Sequence, residues 1–147
     1  MTRIKVCGLT REEDIRLCVS AGVHALGFVV EYPVDVPWNL DRAGALALMR
    51  AVPPFVSRVI VVGGDPGTVV ALTSLLKPHA VQLHGDEPLS VTAGLVAPIR
   101  ACGAQVIKAL RFSAETGRCL NAGDDPLEAL AVGQPAKAVH QSKAYRV

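Results

Sequence analysis

The feature that most constrains this chain is a repeated alternation of short β-branched runs with longer amphipathic stretches. The runs that read as strands lie at 3–7, 25–30, 57–64, 80–85 and 105–112. Helical spacing is found between them, at 10–22, 41–52, 65–77 and 88–103. Because parallel strands need a crossover connection, this order predicts a parallel sheet with right-handed crossovers and helices packed on it.

Local signals refine the helices. Asp41 precedes the second helical stretch as a predicted N-cap, and Pro66 falls in the first turn of the third. Pro98 is expected to interrupt the fourth stretch. Residues 31–40 contain two prolines and are expected to form a loop.

Two architectures fit such a sheet: an open doubly wound sheet and a closed (β/α)8 TIM-type barrel. Gln82 and His84 alternate with Val81 and Leu83, so one face of that strand is polar near its end. Polar residues that converge near strand carboxyl ends suit the upper interior of a barrel, whereas an open sheet prefers apolar residues on both faces. No G-x-G-x-x-G motif follows the first strand, which disfavours a dinucleotide-binding sheet. The barrel is therefore the predicted fold.

Cys7 ends the first predicted strand, immediately before Gly8. At period two it shares a face with Lys5, while Ile4 and Val6 point the other way. Enzymes with parallel sheets place their chemistry at the carboxyl ends of the strands. From the residues alone, Cys7 is either a catalytic thiol or a small hydrophobe.

Composition excludes several classes of function. The 147 residues are 50% hydrophobic and 19% charged, which is typical of a globular domain. A net charge of +2, no run of Lys or Arg, and 4% aromatic residues disfavour a nucleic-acid or membrane partner. The four cysteines form no C-x-x-C pair and the four histidines have no metal-ligand spacing. We therefore expect free thiols, a cytoplasmic protein, no membrane span or signal peptide, no metal and no cofactor.

The alternating pattern stops after Leu130. Residues 1–130 are predicted to be the N-terminal part of a (β/α)8 barrel, and residues 131–147 an irregular tail without a clear strand. The chain thus provides about five strand–helix units where a complete barrel has eight.

Five segments, in this order and at this spacing, resemble phosphoribosylanthranilate isomerase of tryptophan biosynthesis: KVCGLTREED, ALGFVV, PPFVSRVIVV, VQLHGDE and VIKALRF. The resemblance covers residues 3 to about 112. It implies a (β/α)8 barrel enzyme that converts N-(5-phosphoribosyl)anthranilate into the 1-deoxyribulose 5-phosphate aminoketose by an Amadori rearrangement. That reaction needs a general acid to open the furanose ring and a general base to remove the C2 proton.

The resemblance also implies roles for particular residues. Cys7 would be the general base, with Lys5 favouring its thiolate form. His84 would line the substrate pocket, or alternatively only order the barrel rim. Gln82 lies one layer deeper, where interior hydrogen bonding is expected; with Lys5 and Trp38 it completes the candidate substrate-binding set.

The sequence departs from the family pattern in three places. Trp38 stands where the family has an arginine that grips the anthranilate carboxylate; a tryptophan can stack on the ring but cannot bind a carboxylate bidentately. The family's acid is an aspartate ending a sixth strand, and Asp124 and Asp125 match a helix start instead. Glycine-rich phosphate loops of the last two units are not found, and Gly63–Gly64 is predicted to be a turn.

We therefore expect an isomerase sequence that lacks its C-terminal third, by truncation or frameshift, and has little activity alone. One alternative is a non-catalytic partial barrel that acts as a binding or assembly module. Another is a related phosphate-binding barrel with a different sugar substrate. The expected ligand is a small phosphosugar, and open sheet edges would favour self-association.

Overall fold

The computed structural model describes residues 2–121 and 137–140. Within them a single parallel sheet has the strand order β1-β2-β4-β5-β6-β7, and a short β3 also pairs with β2. The strands are β1 Lys5–Cys7, β2 Ala25–Val30, β3 Asn39–Leu40, β4 Ser57–Val62, β5 Ala80–Leu83, β6 Gln105–Leu110 and β7 Lys137–His140. The helices are α1 Glu12–Ser20, α2 Arg42–Arg50, α3 Pro66–Leu76 and α4 Leu89–Ala101. The sheet with its helices is an incomplete TIM-type barrel, as the sequence predicts.

The hydrophobic core lies between one face of the sheet and the helices. Alternate strand residues such as Phe28, Ile60 and Val81 are fully buried there with Ile15 and Leu72 of the helices. The intervening strand residues face a cavity on the other side of the sheet. This division into an apolar face under helices and a second face around a cavity is the arrangement of a barrel wall.

The predicted helix starts are confirmed. The Asp41 carboxylate accepts a hydrogen bond of 2.7 Å from the backbone N–H of Gly44, so it is the N-cap of α2. Pro66 is in the first turn of α3, where its missing N–H costs no intrahelical bond. The structure shows no helix, among the residues it describes, that is long and apolar enough to cross a membrane.

The expected interruption at Pro98 is wrong, because α4 runs through it to Ala101. Leu95 and Ile99, on either side of the proline, are 3% and 0% exposed. Backbone bonding also resumes at once, since the N–H of Cys102 donates to the carbonyl of Pro98 at 3.2 Å. Tertiary packing of the apolar face therefore outweighs the single lost bond.

The prediction of a tail without strands is wrong for residues 137–140. They form β7, which pairs in parallel with β6 from Ile107 opposite Lys137 to Leu110 opposite His140. The run is too short for its own periodicity to identify it, and the neighbouring edge of β6 offers unpaired backbone groups. The sheet is correspondingly wider than the five strands predicted. Asp124 and Asp125 lie outside the described residues.

Candidate active site

A cavity of about 290 Å³ lies at the carboxyl ends of the strands. It brings together four of the residues singled out from the sequence: Cys7, Trp38, Gln82 and His84. The rest of its described lining consists of Val29, Tyr32, Val34, Val36, Val61 and Arg111. The wall is thus largely apolar, with a few polar groups that converge on it, as in most small-molecule sites.

Cys7 is the last residue of β1 and its side chain is exposed rather than packed in the core. Gly27 pairs with it on β2, and a Cβ added there would lie 2.7 Å from the Cys7 Sγ. The thiol therefore occupies space that any other residue at position 27 would fill. Its exposure does not support the reading of Cys7 as a buried hydrophobe.

Lys5, Gln82 and His84 form a hydrogen-bonded row across β1 and β5. The Lys5 Nζ donates to the Gln82 Oε1 at 2.6 Å, and the Gln82 Nε2 lies 3.2 Å from the His84 Nδ1. Since a lysine can only donate, the amide orientation of Gln82 is set, and its Nε2–H donates to His84. The imidazole then accepts at Nδ1 and carries its proton on Nε2.

Lys5 therefore contacts a residue of the cavity wall, Gln82, without lining the cavity itself. It is not among the described lining residues, and its ammonium holds the buried Gln82 side chain. Gln82 makes the interior hydrogen bonds that its depth in the strand predicts.

Tyr32 is a cavity residue that the sequence reasoning missed. Its hydroxyl donates to the backbone carbonyl of His84 at 3.2 Å, and the two rings meet edge to face with centroids 6.1 Å apart. The Asn39 side chain fixes the tyrosine backbone through two bonds of 2.9 Å. Burial raises the pKa of the Tyr32 phenol, and the charge of Arg111 partly opposes that rise. A tyrosine two residues after the end of a buried strand was the available signal.

Trp38 closes the cavity over the end of β1. Its Cγ lies 3.5 Å from where a Gly8 Cβ would be, and Gly8 has a positive φ of 83°. The side chain is 41% exposed. The indole therefore covers the backbone next to Cys7 and leaves part of its surface open to the cavity.

A buried ion pair joins the ends of β4, β5 and β6, and the sequence reasoning also missed it. The Lys108 Nζ lies 3.0 Å from the Glu87 Oε2, with the two side chains 5% and 9% exposed. Lys108 also donates to the carbonyl of Gly85 at 2.9 Å, and Glu87 accepts from the backbone N–H of Gly64 at 3.1 Å. The pair ties β6 to the loops after β4 and β5. The lysine within the largely apolar run QVIKAL is the feature of the sequence that could have indicated this buried pair.

Arg111 follows β6, the strand that pairs with β5, and lines the cavity. Its Nη2 pairs with the carboxylate of Asp86. The Asn121 Oδ1 accepts from the backbone N–H of Arg111 at 2.9 Å, and the Asn121 amide donates to the carbonyl of Ala109 at 2.8 Å. Asn121 thereby fixes the chain where β6 ends.

The glycine pair that was predicted to form a turn follows β4. Gly63 and Gly64 lie between β4 and α3, with Gly64 at a φ of 85°, as expected for a turn. Among residues 2–121 and 137–140, no group of three or more His, Cys, Asp or Glu side chains could hold a metal ion.

Comparison with known proteins finds no matching family model. The chain is 44% identical over 111 residues to N-(5'-phosphoribosyl)anthranilate isomerase of Halobacterium salinarum, which is 75% of this chain and 50% of that protein. The fold is similar to phosphoribosyl anthranilate isomerase from Thermotoga maritima, with a TM-score of 0.76, 30% identity, and coverage of 100% of this chain and 64% of that one. A phosphoribosyl anthranilate isomerase solved with reduced 1-(o-carboxyphenylamino)-1-deoxyribulose 5-phosphate is 35% identical, with a TM-score of 0.66 and coverage of 78% and 56%. The chain spans about half the length of the curated relatives it matches.

Proposed function

We propose that the cavity serves the reaction of the phosphoribosylanthranilate isomerases in tryptophan biosynthesis, since the chain is similar to those enzymes in sequence and fold. The substrate would be N-(5'-phosphoribosyl)anthranilate, a phosphosugar joined to an aromatic amine, and the product the corresponding aminoketose. The observation that carries the proposal is that Cys7 and His84 line one cavity at the strand carboxyl ends. Self-association through the sheet edges stays a prediction.

In this proposal Cys7 is the general base that removes the C2 proton of the opened sugar. Its exposed thiol at the end of β1 can reach a substrate in the cavity. His84 lines the same cavity, and the Gln82 Nε2 lies 3.2 Å from its Nδ1, which orients the ring. Lys5 acts through Gln82, which it holds in the orientation that this arrangement needs.

Trp38 is proposed to bind the aromatic part of the substrate. Its indole lines the cavity beside the end of β1, and a flat aromatic face stacks favourably on an aminobenzoate ring. The apolar lining around it comes from Val29, Val34, Val36 and Val61.

The described lining contains no carboxyl group that could act as the ring-opening acid. Loss of a positioned general acid costs roughly 10²–10⁴ in rate. We therefore propose that the 147-residue chain alone turns over slowly. The same observation favours, as a second candidate function, a partial barrel that binds ligand without catalysis.

The test is a chimera in which residues 1–112 are joined to the remaining part of the Halobacterium salinarum relative. Conversion of N-(5'-phosphoribosyl)anthranilate is measured for the chimera, for the 147-residue chain, and for two cysteine variants. Cys7→Ala should abolish the activity of the chimera, whereas Cys18→Ala, whose thiol packs against the core from α1, should retain it. Full activity of Cys7→Ala would refute the assignment of the base, and ordinary enzyme rates in the chain alone would refute the need for a further acid.

A further inference from the structure

We infer that Arg111 binds the carboxylate of an aromatic acid in the cavity, and so supplies the cation that is missing at Trp38. The identity of that acid as the anthranilate part of a substrate rests on the proposed function. The requirement for a planar aromatic carboxylate rests on the cavity itself.

The first support is position. Arg111 is the one guanidinium in the described lining of the cavity, and Trp38 and Tyr32 line the same space. The backbone of Arg111 is fixed by its 2.9 Å bond to Asn121, so the side chain starts from a defined point. A ligand ring against the indole would thus share the cavity with a guanidinium.

The second support is the state of the guanidinium. Its Nε is buried and has no hydrogen-bond partner among the residues that the structure describes. A buried donor without an acceptor is unfavourable, particularly on a charged group. A carboxylate would satisfy it, because the planar fork of arginine matches two carboxylate oxygens.

The ion pair with Asp86 does not prevent such binding. It engages Nη2, and the Arg111 and Asp86 side chains are 42% and 65% exposed. Exposed pairs are weak and exchange readily, and a guanidinium has five N–H donors. Asp86 is instead expected to compete with a ligand carboxylate for Arg111. Removing the charge of Asp86 should therefore strengthen binding of the ligand, whereas removing the charge of Arg111 should weaken it.

The third support is the apolar remainder of the site. The four valines and the indole provide a wall suited to a flat ring, and a phenol and an imidazole provide hydrogen-bonding groups. The solved relative described above holds a ligand with a carboxyphenyl group. A ring on Trp38 with its carboxylate on Arg111 satisfies both the apolar wall and the buried donor.

The experiment measures binding of anthranilate and of 2-aminobenzamide to the 147-residue chain by equilibrium dialysis, using the fluorescence of each ligand. The amide has nearly the same shape but no negative charge. Arg111→Gln should weaken anthranilate binding about tenfold or more, as expected for a charge-assisted contact, and leave the amide unchanged. Asp86→Asn should strengthen anthranilate binding, because the competing carboxylate is gone.

Arg50→Gln is the matched control, since Arg50 is exposed at the end of α2 away from the cavity lining. It should bind both ligands as the unaltered chain does. Trp38→Arg placed in the Arg111→Gln background should restore the preference for anthranilate, which shows that the lost function is carboxylate binding. Far-UV circular dichroism checks that each variant is folded.

Unchanged anthranilate binding in Arg111→Gln would overturn the inference. An equal loss for the acid and the amide would also overturn it, because the arginine would then act through packing. The binding measurements test the role of Arg111 independently of the isomerase assay on the chimera. A chimera without activity, combined with Arg111-dependent anthranilate binding, would refute the proposed reaction and keep the carboxylate site.

Discussion

Replacing Lys108 by methionine is expected to destabilise the protein by about 3–5 kcal/mol, the cost of leaving one member of a buried ion pair alone. Methionine keeps the apolar stem and removes the ammonium group. The Glu87 carboxylate, whose side chain is 9% exposed, would then keep the 3.1 Å hydrogen bond from the Gly64 N–H but lose its counter-charge. The carbonyl of Gly85 would also lose the 2.9 Å bond from the Lys108 Nζ.

The double variant Lys108→Met/Glu87→Leu tests the cause of that loss. With neither charge left in the interior, its stability is expected to lie close to that of the unaltered protein, because apolar replacements of a buried pair are often neutral. The two substitutions should therefore be strongly non-additive, as contacting residues are in a double-mutant cycle.

The assay is urea unfolding followed by far-UV circular dichroism. With a urea slope of about 1–3 kcal/mol/M, a loss of ~3 kcal/mol lowers the midpoint by roughly 1–3 M. Arg42→Met is the matched control: its guanidinium pairs with Glu31 at the surface, the two side chains being 54% and 26% exposed, so its midpoint should change little. Equal urea midpoints for Lys108→Met and this control, or a double variant no more stable than the single one, would contradict the role of the buried pair.

Three further predictions concern single positions. Gly27→Ala should sharply lower the activity of the chimera, because its Cβ would lie 2.7 Å from the Cys7 Sγ, while Gly94→Ala, which meets nothing within 4 Å, should leave that activity intact. Burial, and secondarily a neighbouring guanidinium, lower the pKa of His79 from its ordinary 6.5. The unfolded chain therefore takes up a proton first as the pH falls below 6.5, and stability should decrease there; His79→Asn should flatten this slope in urea midpoints compared at pH 7.5 and about 5.5, and an unchanged slope would contradict the assignment. Asp41→Ala should cost about 1 kcal/mol through loss of the α2 cap, and an unshifted urea midpoint would show that the cap contributes nothing.

The sequence by itself determined the order of the four helices and of five strands, β1, β2, β4, β5 and β6. Period-two alternation in AVQLHG separates Gln82 and His84 from the core side, and the structure keeps that separation. That Cys7 and His84 line one cavity was predictable because parallel strands end at one edge of the sheet. These features depend on local patterns and on the geometry of parallel pairing, both of which can be read along the chain.

Tertiary structure alone decided which polar groups support the site. Lys108 and Glu87 are 21 residues apart, and the Asn121 amide contacts a carbonyl 36 residues away at Gly85. No local pattern selects such partners, because any exposed loop could have held these side chains in solvent. The placement of Arg111 in the cavity has the same origin: the register of β6 beside β5 brings its side chain to the strand ends. Burying a charge is unfavourable unless a partner of opposite charge lies beside it in the folded chain. Whether such a partner is present depends on long-range packing and not on the neighbouring residues in the sequence.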